Sequence, residues 1–369
     1  MKKKVSIITT VDHNVGDDFV REGLKHIIKS VCKDSEFSNI HKHSPITSRK
    51  GFEGFRNYRY SKRLDPILPI LNKQNDLILS ADVVIQSGAP VYWCHPMDKN
   101  YCSKNEWYKP LINRRWRKNP VPLLNLAAGT CQAYHSDLSE FQSHQDEIEY
   151  IKEFHRLASV TTLRDKASKK LFNNIGIDAP VIPCSSIFAK DYLNMKSEKK
   201  EYVVLNFMSK GAHFSIGQNI QEQKWLDSFV TFYHSIKDKE KIVFSCHNSQ
   251  EFELAKCIDP NANIFFKKND YLAYMELYSK AKIGIVNRVH AAFMMASFGT
   301  PSFTIGNDTR ALMTEQIQLE NAFVNDVSST TLKDQYQKLD QMRADYPNLI
   351  EKIKKDAFEQ YTNEVSKAF

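Results

Sequence analysis

The chain has 369 residues, 42% of them hydrophobic and 25% charged, with a formal net charge of +8. That length points to about two domains, and the balance is that of a globular chain, which excludes collagen-like and disordered classes. The Met1-Lys-Lys-Lys start leads into only a short apolar run, without the apolar core and cleavage site of a secretory signal. No stretch approaches the roughly 20 apolar residues of a membrane span, so a cytoplasmic protein is expected. Seven dispersed cysteines without a CxxC pair read as reduced thiols, and with no HExxH or zinc-ligand spacing no metal is expected. The positive balance favours an anionic partner. Nucleic acid is not expected, because no zinc finger, RNP-like strand or recognition helix is evident.

In chain order, short β-branched runs alternate with amphipathic stretches, the pattern of βα units around parallel sheets. Val5–Thr10 predicts a strand and Asp17–Val31 a helix. Ser44–Asn75 is irregular, aromatic and basic, and takes no assignment. Val83–Gln86 and Pro122–Ala128 predict buried strands that end at Gly88 and Gly129. Between them lies a basic, aromatic patch, Asn113–Lys118, which reads as a solvated loop or as a contact with an anionic acceptor or membrane surface. Ser159–Leu163 predicts a strand, followed by a helix that Asp165 caps and that ends before Gly176. The charged stretch Asn194–Glu201 reads as a linker. A second alternation follows, with strands at 202–206, 241–246, 263–266, 282–286 and 301–305, and helices at 221–235, 250–257, 271–280 and 289–298. Leu332–Lys367 predicts one long helix packing across the outside, back toward the first domain. The expected fold is therefore α/β, with two doubly wound, Rossmann-like domains facing a central cleft. The expected boundaries are 1–195, an N-terminal domain on the acceptor side; 196–331, a C-terminal domain on the donor side; and 332–369, a helical segment.

Ligands of open α/β sheets bind beyond the carboxyl ends of the strands, where loops meet helix N-termini. The sharpest candidates there are Arg288 and His290, two residues apart and just before a helix. An arginine grips a phosphate or carboxylate bidentately, and a histidine exchanges protons near neutral pH. The bland alternative is a surface ion pair for Arg288 and a capping role for His290. In the first domain Arg164 ends a strand at the cleft, while Asp165 reads as a helix cap. His13-Asn14-Val15-Gly16-Asp17-Asp18 stands where a dinucleotide loop would, without GxGxxG. Its carboxylates and amide suit sugar hydroxyls better than pyrophosphate, against an alternative of plain capping. His247 follows another strand and suits proton handling or phosphate contact, or a cap. Gly88 and Gly129 mark turns, and His213 is a weaker candidate in a glycine-flanked loop.

Asn14-Val-Gly-Asp17, Leu163-Arg-Asp165 and Asn287-Arg-Val-His290 before Ala296-Ser-Phe-Gly-Thr-Pro301 together resemble the polysaccharide pyruvyl transferase family over residues 5–320. The resemblance implies a two-domain fold like the GT-B glycosyltransferases. It also implies transfer of a pyruvyl unit from phosphoenolpyruvate to sugar hydroxyls, making a pyruvate ketal on a surface glycan such as a capsule, an exopolysaccharide or a cell-wall glycan. By resemblance Arg164, Arg288 and His290 match the donor-binding arginines and the catalytic histidine, with His247 beside them on the donor side. Asn14 and Asp17 match the amino-terminal motif, and with Gly88 they make up the acceptor side. The chain departs from the family where Ser87-Gly88-Ala89 replaces a glycine triplet, where Pro183-Cys184-Ser185 replaces an Asp-Pro pair, and where Arg310 takes the place of the usual basic residue after the last core strand. Phosphoenolpyruvate is then the co-substrate, with no cofactor. The partner is a sugar or glycan acceptor, lipid-linked if the enzyme works at the inner face of the plasma membrane. The competing readings are a nucleotide-sugar glycosyltransferase and a non-catalytic glycan-binding relative.

Overall fold

The computed structural model describes residues 2–11, 13–42, 77, 80–95, 98, 102–105, 120–210 and 218–369. The Asn113–Lys118 patch, His213 and the 44–75 stretch lie outside the described residues.

The first sheet comprises β1 (Lys3–Thr9), β2 (Ser35–His41), β3 (Val83–Ser87), β4 (Pro90–Tyr92), β5 (Leu123–Thr130) and β6 (Val160–Leu163). They run parallel in the order β2-β1-β3-β5-β4, with β6 also on β5. Helices α1 (Val15–Val31), α2 (Gln145–Leu157) and α3 (Lys166–Asn174) cover it. Central strands such as β3 are buried at every position, because helices on both faces demand near-continuous apolar runs. Edge strand β2 reads Ser-Glu-Phe-Ser-Asn-Ile-His, and that polarity hides it from a search for β-branched runs.

The second sheet is also parallel, in the order β12-β11-β10-β7-β8-β9. Its members are β7 (Tyr202–Asn206), β8 (Ile242–Ser245), β9 (Ile264–Phe265), β10 (Ala281–Val286), β11 (Ser302–Gly306) and β12 (Asn321–Phe323). Helices α4 (Glu222–Ile236), α5 (Ser249–Ile258), α6 (Tyr271–Ser279) and α7 (Val289–Ser297) alternate with these strands.

The C-terminal stretch is two helices, α8 (Ser329–Met342) and α9 (Tyr346–Ser366), where the sequence pattern predicts one. Pro347 accounts for the break: it cannot donate a backbone hydrogen bond within a helix interior, and here it occupies the first turn of α9. Leu332 and Leu339 of α8 join the core of the second half, while Ile350, Ala357, Tyr361 and Val365 of α9 pack with Val20, Leu24, Ile27 and Ile28 of α1.

Helix α1 joins the halves. Its Val15 and Phe19 enter the second-half core beside Tyr278 and Met294, and its remaining apolar face serves the first sheet and α9. Fully burying such side chains contributes about 1.5–3 kcal/mol each, so the two halves share one packing network through α1. The carboxyl ends of β1, β6, β8, β10 and β11 consequently meet at one cavity.

Candidate active site

That cavity has a volume of about 360 Å³. Arg164, Arg288, His290 and His247 line it together with Asn14 and Asp17, so residues from both halves converge there. Gly88 is not among its described lining residues. A Cβ on Gly88 would lie 2.4 Å from the carbonyl oxygen of Ala127. The glycine admits the bulged backbone of β5, where Ala127 has a φ of 54°, and the structure does not bring it to the ligand space. Pro90, two residues on, reaches the cavity instead.

Arg164 is 0% exposed, and none of its three guanidinium nitrogens has a hydrogen-bond partner among the described residues. Its neighbour Asp165 meets it through charge alone and makes its hydrogen bonds elsewhere. One carboxylate oxygen caps α3 by accepting from the Ser168 N–H at 2.6 Å and its hydroxyl at 2.7 Å, and the other accepts from the Thr130 N–H at 3.2 Å. Gly129 gives the Arg164 side chain its room, since a Cβ there would lie 2.4 Å from Nε. A buried, unpaired guanidinium is costly unless an anion completes it.

Arg288 is oriented differently. It stands at the N-cap of α7, and its Nε donates to Oε1 of Glu251 at 2.8 Å, with Nη2 bonded to the same oxygen. Glu251, 3% exposed, also accepts from the His247 N–H at 2.9 Å and from Nδ2 of Asn206 at 2.8 Å. Oδ1 of Asn206 in turn takes the N–H groups of Asn287 and Arg288 at 3.2 and 3.0 Å. Glu251 and Asn206 thus tie the ends of β7, β8 and β10 into one frame. Burial alone would raise the Glu251 carboxyl; the Arg288 guanidinium, His247 and the hydrogen bonds both donate together outweigh it and hold the group below the usual range. Sequence reasoning missed Glu251 because Asn248-x-x-Glu251 reads as a helix cap, which it also is: Asn248 accepts from the Glu251 N–H at 2.8 Å.

The histidines are both electrically quiet. Burial pushes His247 down to about 4, with Arg288 adding to the effect and Glu251 opposing it. Its Nε2 lies 2.7 Å from the Tyr278 hydroxyl, itself 2.8 Å from the Ser245 hydroxyl. His290 is lowered well below its ordinary value, by burial first and then by Arg164 and Arg310. Its ring lies on the first turn of α7, where the leading N–H groups precede any intrahelical acceptor and no side chain caps them.

Arg310 adds a third guanidinium at the cavity wall, gripped by Asp308 through Nε–Oδ1 and Nη2–Oδ2 bonds of 2.9 and 2.7 Å. On the opposite wall Asp17 accepts from the Thr10 hydroxyl at 2.6 Å, and Asn14 caps α1 by accepting from the Gly16 N–H at 3.1 Å. The capping alternative thus holds for Asn14 and Asp165, and both still stand beside the cleft. Among the described residues no cluster of three or more histidine, cysteine or acidic groups could hold a metal ion. No helix among them is long and apolar enough to cross a membrane.

Two parallel α/β sheets with a cation-lined cavity between them define the GT-B architecture, and solved structures carry the same fold. The chain resembles MnaA of S. aureus, solved with UDP, at 14% identity and a TM-score of 0.55, covering 99% of this chain and 91% of that one. It also resembles a UDP-N-acetylglucosamine 2-epimerase described from Listeria monocytogenes, at 11% identity and a TM-score of 0.57, covering 95% and 91%. The UDP-GlcNAc 2-epimerase of Neisseria meningitidis, bound to UDP-GlcNAc, matches at 11% identity and a TM-score of 0.51, covering 94% of each chain. These likenesses concern the fold alone. No curated protein matches the sequence. The polysaccharide pyruvyl transferase family model matches residues 14–309, and the chain belongs to that family of transferases.

Proposed function

We propose that the protein transfers a pyruvyl group from phosphoenolpyruvate to a pair of sugar hydroxyls, releasing phosphate and leaving a pyruvate ketal on a glycan precursor. The observation that carries this reading is the buried guanidinium of Arg164, without a protein partner among the described residues and opening on the same cavity as Arg288, His290 and the uncapped start of α7. A small donor with both a carboxylate and a phosphate supplies what that arrangement lacks. Arg164 is satisfied by one anionic group, and the helix start with Arg288 receives the other.

In the reaction the enol carbon takes a proton and the sugar oxygen bonds to the adjacent carbon. The C–O bond to phosphate then breaks with its electron pair, and a neighbouring hydroxyl closes the ketal. Of the two protons lost by the hydroxyls, one balances the proton taken by carbon and the other leaves on phosphate. We assign to His290, which lines the cavity, the role of giving the proton to carbon, a role worth about 10² to 10⁴ in rate. Its ring is neutral in the free protein because burial and two guanidinium groups disfavour the charge. A bound anion cancels the guanidinium part of that field, which moves the His290 ring toward its protonated form. Deprotonation of the sugar hydroxyl falls in this reading to Asp17 or to the neutral His247, both of which line the cavity.

Incubation with phosphoenolpyruvate and a panel of glycan acceptors tests the reading. Phosphate release matched by a ketal mass gain on the acceptor is the expected result. Turnover of a nucleotide sugar, with phosphoenolpyruvate inert, would overturn it.

A further inference from the structure

We infer that Gly16 is a positioning residue, which together with Cys184 forms a socket in the first half that holds the His290 ring contributed by the second half. The inference rests on the proposed role of His290. A Cβ built on Gly16 would lie 2.6 Å from Nδ1 of His290 and 3.1 Å from its Cβ and Cγ, so the ring rests directly on the bare backbone of the first turn of α1. On the other side Nε2 of His290 is 3.9 Å from Sγ of the buried Cys184. Among the described residues no other group hydrogen-bonds to the ring, and at that distance the thiol is a wall more than an acceptor. The ring is therefore located by shape, and a single added methyl is enough to move it.

The two walls are themselves fixed to one another. Gly23 lies seven residues after Gly16, on the same face of α1, and a Cβ there would lie 1.8 Å from the Ser185 carbonyl oxygen. The Ser185 hydroxyl donates to the Val20 carbonyl at 3.1 Å, and the Ser186 hydroxyl donates to Cys184 Sγ at 3.4 Å. The two glycines of α1 thus act as a pair: Gly23 seats the segment that carries Cys184, and Gly16 seats the imidazole. Helix propensity alone favours alanine at both positions, so it is the close approaches and not helix stability that call for glycine there. Because socket and ring belong to different halves, His290 is placed correctly only while α1 and α7 keep their mutual packing.

The test is Gly16→Ala in the full chain with labelled histidine, reading the His290 imidazole signals by NMR alongside kcat and the donor KM. The expected result is a displaced set of His290 signals and a kcat lower by about 100-fold, with donor KM within about threefold, as for a reacting group shifted by roughly 1 Å. Should that variant fail to fold, Cys184→Ala removes the opposite wall without adding bulk, and it is expected to displace the same signals. Unchanged His290 signals in a folded Gly16→Ala protein, or in Cys184→Ala where only that variant folds, overturn the inference. The NMR readout needs no turnover. Inertness of the parent chain toward phosphoenolpyruvate would therefore count against the proposed reaction, while the spectra alone decide whether Gly16 positions the ring.

Discussion

Arg164 is a residue whose local cost makes sense only with a ligand. Its burial without a partner among the described residues predicts that Arg164→Met stabilises the free protein by about 1–3 kcal/mol, the penalty of an unsatisfied buried polar group, while abolishing donor binding. Chemical denaturation beside a donor titration checks both halves of that statement, and a destabilised variant that still binds the donor would contradict it. Glu251 works in the opposite sense, as an ionised partner that fixes the plane of Arg288. Glu251→Gln is expected to raise donor KM by about tenfold, the equivalent of roughly 1.4 kcal/mol, with kcat changed less. It also removes the one charge that props up His247, so the already low proton affinity of that ring falls further. At this scale the strand-end logic found Arg164, Arg288, His290 and His247, because a charged or proton-handling residue right after a β run has little else to do. It could not find Glu251, whose pattern is that of an ordinary cap, nor separate Gly88 from the ligand space, because a turn glycine looks alike whether it faces a substrate or a neighbouring strand.

Between residues and the whole stand two elements that shape the cleft. Strand β5 is bulged, its pairing with β6 skipping between Asn125 and Ala128, and Gly129 beyond the bulge leaves the channel that Arg164 fills. Gly129→Ala sets a Cβ 2.4 Å from Nε of Arg164 and 2.8 Å from Oδ2 of Asp165. The expected cost is about 1–3 kcal/mol of stability together with weakened donor binding, measured by urea denaturation and titration. Helix α9 is the other element. Tyr361 is 0% exposed and donates its hydroxyl to the Pro183 carbonyl at 3.1 Å, one residue before Cys184. Most helices and the central strands are legible because their hydrophobic period is strong. The α8–α9 break is not, because the charged surface pattern of two consecutive amphipathic helices runs on through Arg343–Asp345, and only Pro347 marks the restart. Polar β2 escapes for the converse reason: its pairing with β1 is set by backbone hydrogen bonds at an edge, which leave little trace in side-chain pattern.

For the molecule as a whole, protonation links folding and binding. His247 has a folded value depressed to about 4 against an ordinary 6.5, so its contribution to stability is present above pH 6.5 and lost as pH falls toward 4. Glu147, buried and pushed up to about 7 by desolvation, has the opposite sign: its contribution is present below its ordinary 4.5 and lost as pH rises through 7. Glu147→Gln should therefore gain stability relative to the parent chain between pH 4.5 and 7, which paired denaturation curves at the two ends of that window will show. The same principle governs the cavity. Burial is the first cause that keeps His290 neutral in the free protein, and an anion that cancels the Arg164 and Arg310 field removes the next two and so favours proton uptake on binding.

That coupling gives the most direct test of the central claim, that a doubly anionic donor completes Arg164 beside His290. Calorimetric titration of phosphoenolpyruvate, repeated in buffers of different ionisation enthalpy, reads affinity and proton uptake together. Binding with net proton uptake near neutral pH, lost in Arg164→Met, is the predicted outcome. Binding of equal strength with Arg164 replaced, or no binding to the parent chain at all, would contradict the account.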